Sequence, residues 1–315
     1  MRNSAFLFPG QGSQSVAMLS ELGQAHPVIT AVMTRASEIL GYDLWELIQM
    51  GPQDKLNNTE FTQPAMLASD IAIWQLWCQE SPLRPVVVAG HSLGEFAALV
   101  AAGAIEFADA IRLVRLRGQL MQSAVKPGVG AMAAVLGLDD ADVMALCDQA
   151  REDQVLNAAN FNSPGQVVVA GHADAVNRLL AIAPQAGAKL AKLIPVSVPS
   201  HCSLMQPAVG QFTAAVEAIQ SWSLPTIPVI HNAGVCQAES IDHMKQQVVQ
   251  QLTSPVRWVE SVHQMVSMSV DCFYECGPGQ VLKGLNKRII KHVPCQRLGT
   301  LGEFELAVNQ SKEKL

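Results

Sequence analysis

A serine set between two glycines, in Gly90-His91-Ser92-Leu93-Gly94-Glu95, is the pattern in this chain with the clearest chemistry. It follows a short, apolar, β-branched run at 85–89, which predicts a buried strand. It precedes an alanine-rich run at 96–102, which predicts a helix. Strand, G-x-S-x-G and helix in that order predict a nucleophile elbow, whereas the five letters alone mark an ordinary turn. Glycine at 90 and 94 omits Cβ atoms that so sharp a turn has no room for. The turn would lift Ser92 above the sheet edge. The first amides of the helix would then face an oxyanion formed on whatever group Ser92 attacks.

A serine nucleophile needs a base, and the chain has eight histidines. His91 adjoins Ser92, and adjacent side chains do not face each other. His26, His243, His263 and His292 read as surface residues, and His172 as a turn residue at a strand end. His201 and His231 both stay open as the base. Gln11, in the glycine-rich turn Pro9-Gly10-Gln11-Gly12, would lie at the carboxyl edge of a parallel sheet, where ligands bind. There it is either a second oxyanion donor or part of a plain strand–helix turn. Arg117 falls at the border of the apolar stripe of a helix over 107–121, while Arg112 and Arg115 point away. A guanidinium there needs a partner, either an internal carboxylate or the acid group of a substrate.

These residues require an α/β scaffold. The chain has 315 residues, 49% hydrophobic and 15% charged, enough for a large globular core. Strands at 5–8, 85–89 and 271–275 alternate with helical patterns over 27–77 (broken near Gly41 and Gly51-Pro52) and 107–123. That alternation predicts a mainly parallel sheet of α/β-hydrolase-like type. Residues 128–199 differ. A strand at 130–136, a helix at 139–150, strands at 154–160 and 166–171, a helix at 173–186 and a strand at 189–198 give β-α-β-β-α-β. We therefore expect a catalytic domain from 1–127 and 200–315, with a ferredoxin-like insert at 128–199. His201 would then lie where the insert returns to the larger domain, and crevices between such units hold sites.

Composition excludes several classes. A net charge of −6 argues against nucleic acid as a partner. No apolar run reaches the ~18 residues of a membrane span, and a strand so close to the N-terminus leaves no room for a signal peptide. Seven scattered cysteines without a C-x-x-C pair suggest reduced thiols in the cytoplasm. With neither H-E-x-x-H nor a dinucleotide-type G-x-G-x-x-G, no metal or cofactor is expected.

Seven motifs resemble, in order, those of the malonyl-CoA:acyl carrier protein transacylases of type II fatty acid synthesis. They are Phe8-Pro9-Gly10-Gln11-Gly12-Ser13-Gln14, Thr62-Gln63-Pro64-Ala65, Gly90 to Glu95, Arg117-Gly118, Asn160-Phe161-Asn162-Ser163-Pro164-Gly165-Gln166, Pro199-Ser200-His201 and Gly277-Pro278-Gly279. The resemblance spans about residues 6 to 290, and the chain after about His292 carries no motif. It implies Ser92 as nucleophile and His201, not His231, as base. It implies Arg117 as the binder of the malonyl carboxylate, Gln63 in the pocket, and the amides of Gln11 and Leu93 as oxyanion donors. A backbone carbonyl would replace the usual aspartate behind the histidine. That carbonyl aligns with Gln251, or with Gln250 if the alignment slips by one. Phe96 departs from the tyrosine of many relatives, a change that leaves the chemistry untouched.

The resemblance also implies malonyl-CoA as donor, the pantetheine thiol of acyl carrier protein as acceptor, and a malonyl-serine between them. An esterase or thioesterase on a similar elbow is the first rival, a non-catalytic interaction module the second, and malonyl transfer in another pathway the third. Carrier proteins of this pathway are acidic, so docking onto a net-negative chain calls for a local basic patch. Lys283, Lys287 and Lys291 recur every four residues with Arg288 beside them, which predicts one basic helix face. Lys189 and Lys192 on the insert form the rival patch. Cys202 adjoins His201, which predicts steric inhibition by thiol reagents. A monomer is the expected unit.

Overall fold

The computed structural model describes residues 3–196 and 198–313. Its strands are β1 (Ser4–Phe8), β2 (Val87–Gly90), β3 (Gly130–Leu136), β4 (Leu156–Ser163), β5 (Gln166–His172), β6 (Leu190–Leu193), β7 (Val229–Ile230), β8 (Cys272–Glu275) and β9 (Cys295–Arg297). Five form a wholly parallel sheet in the order β7-β2-β1-β8-β9. The apolar runs of its central strands reflect burial on both faces. Along β1, Phe6 and Phe8 enter the larger core, where Phe6 packs on Trp74, Trp77 and Tyr274. Ala5 and Leu7 enter a second core under Trp258 and Phe273. The helix Thr59–Glu80 covers the first face and is buried for most of its length.

Residues 130–193 run β3, helix Asp140–Arg151, β4, β5, helix Ala173–Ile182, β6. The four strands make a separate antiparallel sheet in the order β4-β5-β3-β6, with a core of its own. The acidic start expected for its first helix is a cap, with Asp139 accepting from the Asp142 amide at 3.0 Å. Two backbone hydrogen bonds, Phe161 N to Val256 O and Val256 N to Ala159 O, both 2.9 Å, fasten β4 to the larger unit. Met132, Ala159, Val168, Ala170 and Cys202 fill the seam. No helix among the described residues is long and apolar enough to cross a membrane.

Two expected strands have different limits. β4 extends through Asn162 and Ser163, because bulges at Ala158/Asn160 and Phe161/Ser163 absorb the irregular register and leave the turn to Pro164 and Gly165. The strand expected over 189–198 stops at Leu193; one further backbone bond, Ile194 N to Met132 O at 2.9 Å, follows before Val196 and Val198 turn to line a cavity. Its residue Ser197 lies outside the described residues.

Candidate active site

The elbow has the expected crowding. A Cβ on Gly90 would fall 1.9 Å from Gly94 C and O, and one on Gly94 would fall 1.9 Å from Phe8 O. Ser92 takes φ 52°, a left-handed conformation that its neighbours must hold. Asn232, after β7, does so. Its Oδ1 accepts from the Ser92 amide at 2.6 Å, and its Nδ2 donates to Gly90 O at 2.7 Å.

His201 supplies the base geometry. It also sits at positive φ, 62°, just before the short turn Ser203–Met205. Its Nε2 is 2.8 Å from Ser92 Oγ and its Nδ1 is 2.8 Å from Gln251 O. A carbonyl only accepts, so Nδ1 carries the hydrogen and Nε2 is the acceptor facing the serine. The carbonyl belongs to Gln251, not Gln250. The ring is 3% exposed. Burial first, then the neighbouring Arg117 guanidinium, bring its pKa down to about 3, against the backbone hydrogen bond at Gln251 that raises it. A neutral imidazole is the species a base requires. His231 does not reach Ser92: its Nδ1 donates to Glu95 Oε1 at 2.8 Å inside the core. His91 turns to Asn162 Oδ1 at 2.8 Å and packs on Trp258.

Arg117 is drawn fully inward rather than left at the edge of its helix, Phe107–Ser123. It is 1% exposed. Nη1 donates to Gln63 Oε1 at 3.0 Å. Nη2 donates to Gln251 Oε1 at 2.7 Å and to Ser92 Oγ at 3.3 Å. The guanidinium carbon lies 5.4 Å from the Phe96 ring centroid. Burial lowers its pKa to about 10, and Glu95 opposes that fall. None of its hydrogen-bond partners is a carboxylate, so the charge faces the nucleophile with capacity for an anion.

Above these groups opens a cavity of about 210 Å³. Ser92, His201, Arg117, Gln63, Gln11 and Leu93 all line it, and Met132, Val168 and Val196 from the insert make an apolar wall. Among the described residues no group of three or more His, Cys, Asp or Glu side chains is arranged to hold a metal ion. The arrangement can activate a serine, accept its proton and hold an acid group beside the acyl carbon.

The acyl transferase domain family matches residues 5–303. A malonyl CoA-acyl carrier protein transacylase of Escherichia coli strain K12 is 49% identical over 290 residues, covering 92% of this chain and 94% of its own. This chain belongs to the malonyl CoA-acyl carrier protein transacylase family. The solved transacylase of Coxiella burnetii superposes with a TM-score of 0.96 at 46% identity, over 98% of both chains. A malonyl-transacylase solved in complex with a type II PKS acyl-carrier protein superposes with a TM-score of 0.96 at 44% identity, over 98% of this chain and 99% of that one.

In this transacylase fold several expectations change. The basic helix runs Val281–Ile289, so Lys291 lies beyond it and the row of three lysines breaks at its last member. Arg288 is turned about 100° from Lys287 around the helix and bonds Gln166 of the insert. Arg288 and Lys189 line one surface depression beside Gln166, so the two rival patches meet across the seam. Cys202 is buried, donates to Pro199 O at 3.2 Å, and has its pKa pushed up to about 11 by burial. A protonated, enclosed thiol argues against the expected reagent sensitivity. Motif reasoning missed Asn232 and the side chains of Gln251 and Glu95. Glu95 was within reach, as the residue that closes the elbow motif. Asn232 carries no local signal, being 140 residues from Ser92.

Proposed function

We propose that the enzyme moves the malonyl group of malonyl-CoA to the pantetheine thiol of acyl carrier protein by a ping-pong route through malonyl-Ser92, supplying fatty acid elongation. The observation that carries this reading is the buried Arg117 guanidinium, 3.3 Å from Ser92 Oγ and bonded only to neutral groups. A malonyl carboxylate suits that charge; an acetyl group leaves it unpaired, a penalty borne by the wrong substrate. The geometry favours an acyltransferase over the esterase rival because Gln251 O, not a carboxylate, backs His201.

His201 Nε2 takes the Ser92 proton as Oγ attacks the thioester carbon. The amides of Leu93 and Gln11 receive the oxyanion; one such donor contributes about 3 kcal/mol. The C–S bond breaks, the CoA thiolate leaves with the proton from His201, and the ester remains on Ser92. The carrier's thiol then gives its proton to His201 and attacks the ester, the C–O bond breaks, and Ser92 recovers the proton.

On this reading the larger unit, 1–127 and 200–315, is an α/β-hydrolase-like domain, and 128–199 is a ferredoxin-like insert whose strand order supports that description. The working unit is a monomer. The carrier docks at Lys283, Lys287 and Arg288, with Lys189 across the seam. Intact-mass measurement tests the core claim. Malonyl-CoA should leave one malonyl adduct on Ser92, and acyl carrier protein, not water, should remove it. An adduct discharged equally fast without the carrier would favour the hydrolase.

A further inference from the structure

We propose that Glu95 is a positioning residue for this transfer: acting through the side-chain amide of Gln251, it aligns the nucleophile, the base and the arginine while leaving Arg117 free for the substrate. The inference rests on the proposed pairing of Arg117 with a substrate carboxylate.

Glu95 lies in the helix Gly94–Ala101 and has no exposed surface. A carboxylate buried to that degree must be fully bonded. Oε1 accepts from His231 Nδ1 at 2.8 Å. Oε2 accepts from the Asn232 amide at 2.9 Å and from Gln251 Nε2 at 2.8 Å. Two of these three contacts lead to the reacting groups. Asn232 holds the backbone of Ser92 and of Gly90. Gln251 Nε2 bonds both Glu95 and Ser92 O (3.0 Å), which commits its two hydrogens. Its Oε1 then has to face Arg117, and its backbone carbonyl faces His201. A flipped amide would set Oε1 against two acceptors and Nε2 against the guanidinium. Glu95 thus decides the orientation of Gln251, and Gln251 holds both base and arginine.

The interposed amide solves a conflict. A buried guanidinium is costly without a countercharge nearby. A carboxylate bonded directly to Arg117 would occupy the position that the substrate's acid must take. With an amide between them, Glu95 supplies the charge without competing. The titratable groups around this chain of contacts are His201 facing Arg117, His91 facing His201, and His231 and the Cys236 thiol near Glu95. Arg117 has its pKa lowered by burial, and Glu95 is the group that raises it.

Glu95→Gln removes the charge; its Oε1 can still accept from Asn232 and Gln251, while its amide nitrogen faces His231, whose Nδ1 accepts in the other tautomer. We expect the malonyl-to-acetyl ratio of kcat/KM for Ser92 acylation to fall at least tenfold. The fall should sit in KM for malonyl-CoA, because Arg117 keeps its charge and loses its alignment. A purely structural role would lower both substrates together and leave the ratio native. Should Glu95→Gln fail to fold, Gln251→Met serves: it keeps the backbone carbonyl to His201 and removes the amide, and should raise KM for malonyl-CoA about tenfold, well beyond any change in KM for acetyl-CoA. A native ratio in either folded variant overturns the inference. Arg117→Ala is the control. If it leaves the ratio unchanged, the carboxylate pairing itself fails; if it collapses the ratio while Glu95→Gln does not, only the role of Glu95 fails.

Discussion

Replacing Arg117 by alanine removes a cation that is 1% exposed and hydrogen-bonded to Gln63, Gln251 and Ser92. Truncating one partner of a buried charge pair costs about 2–5 kcal/mol, or about 30- to 4,000-fold in rate. Water entering the vacated space would solvate the malonyl carboxylate and pull the loss toward the lower end, so we expect kcat/KM for malonyl-CoA to drop about 100-fold. Acetyl-CoA makes no use of the charge and should keep its rate or gain. The orphaned amide oxygens of Gln63 and Gln251 cost about 1–3 kcal/mol each in stability, which thermal unfolding would register. The ratio of the two substrates, taken on one preparation, is immune to that loss. A second readout follows from His201. Its pKa is held near 3 chiefly by burial and then by Arg117. Loss of the cation should move the acid limb of acetyl transfer upward, toward but not up to the ordinary histidine range. Stopped-flow acylation across pH 3–7 would measure both. An unchanged malonyl-to-acetyl ratio would refute the clamp, and an unmoved acid limb would refute the coupling.

Ser92→Ala should fold and give no acyl adduct by mass spectrometry; His201→Ala should depress acylation far more than malonyl-CoA binding. His231→Ala, remote from Ser92 but bonded to buried Glu95, should cost about 1–3 kcal/mol of stability with a smaller loss of rate; a dead but stable variant would reverse the assignment of the base. Asp70 is fully buried with both carboxyl oxygens unbonded, and burial, then Glu275, raises its pKa well above the ordinary value. The folded protein then keeps a proton that the unfolded chain releases, so stability is full below the unfolded pKa of about 4 and declines as pH rises toward the folded value. Asp70→Asn should flatten that decline, its melting-temperature advantage growing from pH 4 to pH 8; a constant difference would show that Asp70 does not carry the linkage. Charge reversal at Lys287 and Arg288 should raise KM for carrier protein at low ionic strength and spare KM for malonyl-CoA; an unchanged carrier KM would move docking to Lys192 and the outer insert.

Local chemistry made much of this protein legible from its sequence. The elbow could be read because Gly90 and Gly94 have contacts that reject any Cβ, and such demands leave a mark in the letters. The helix over 107–123 could be read because burial on one face imposes a period, and β5 because burial on both faces leaves a continuous apolar run. Residue pattern alone left His201 and His231 open, and it was the family motifs that favoured His201; the distances agree with them, 2.8 Å to Ser92 for one and a buried carboxylate for the other. The setting of Arg117 was half legible. Its place at the edge of an apolar stripe showed a charge in need of a partner, but only packing showed that every partner is neutral and that the countercharge lies one amide away. Lys291 and Cys202 went the other way, because a helix end and the burial of a thiol depend on neighbours distant in the chain. Asn232, Gln251 and Glu95 became one network only through the fold, which brings together residues from after β2, after β7 and before the helix Trp258–Ser267, where no spacing rule connects them.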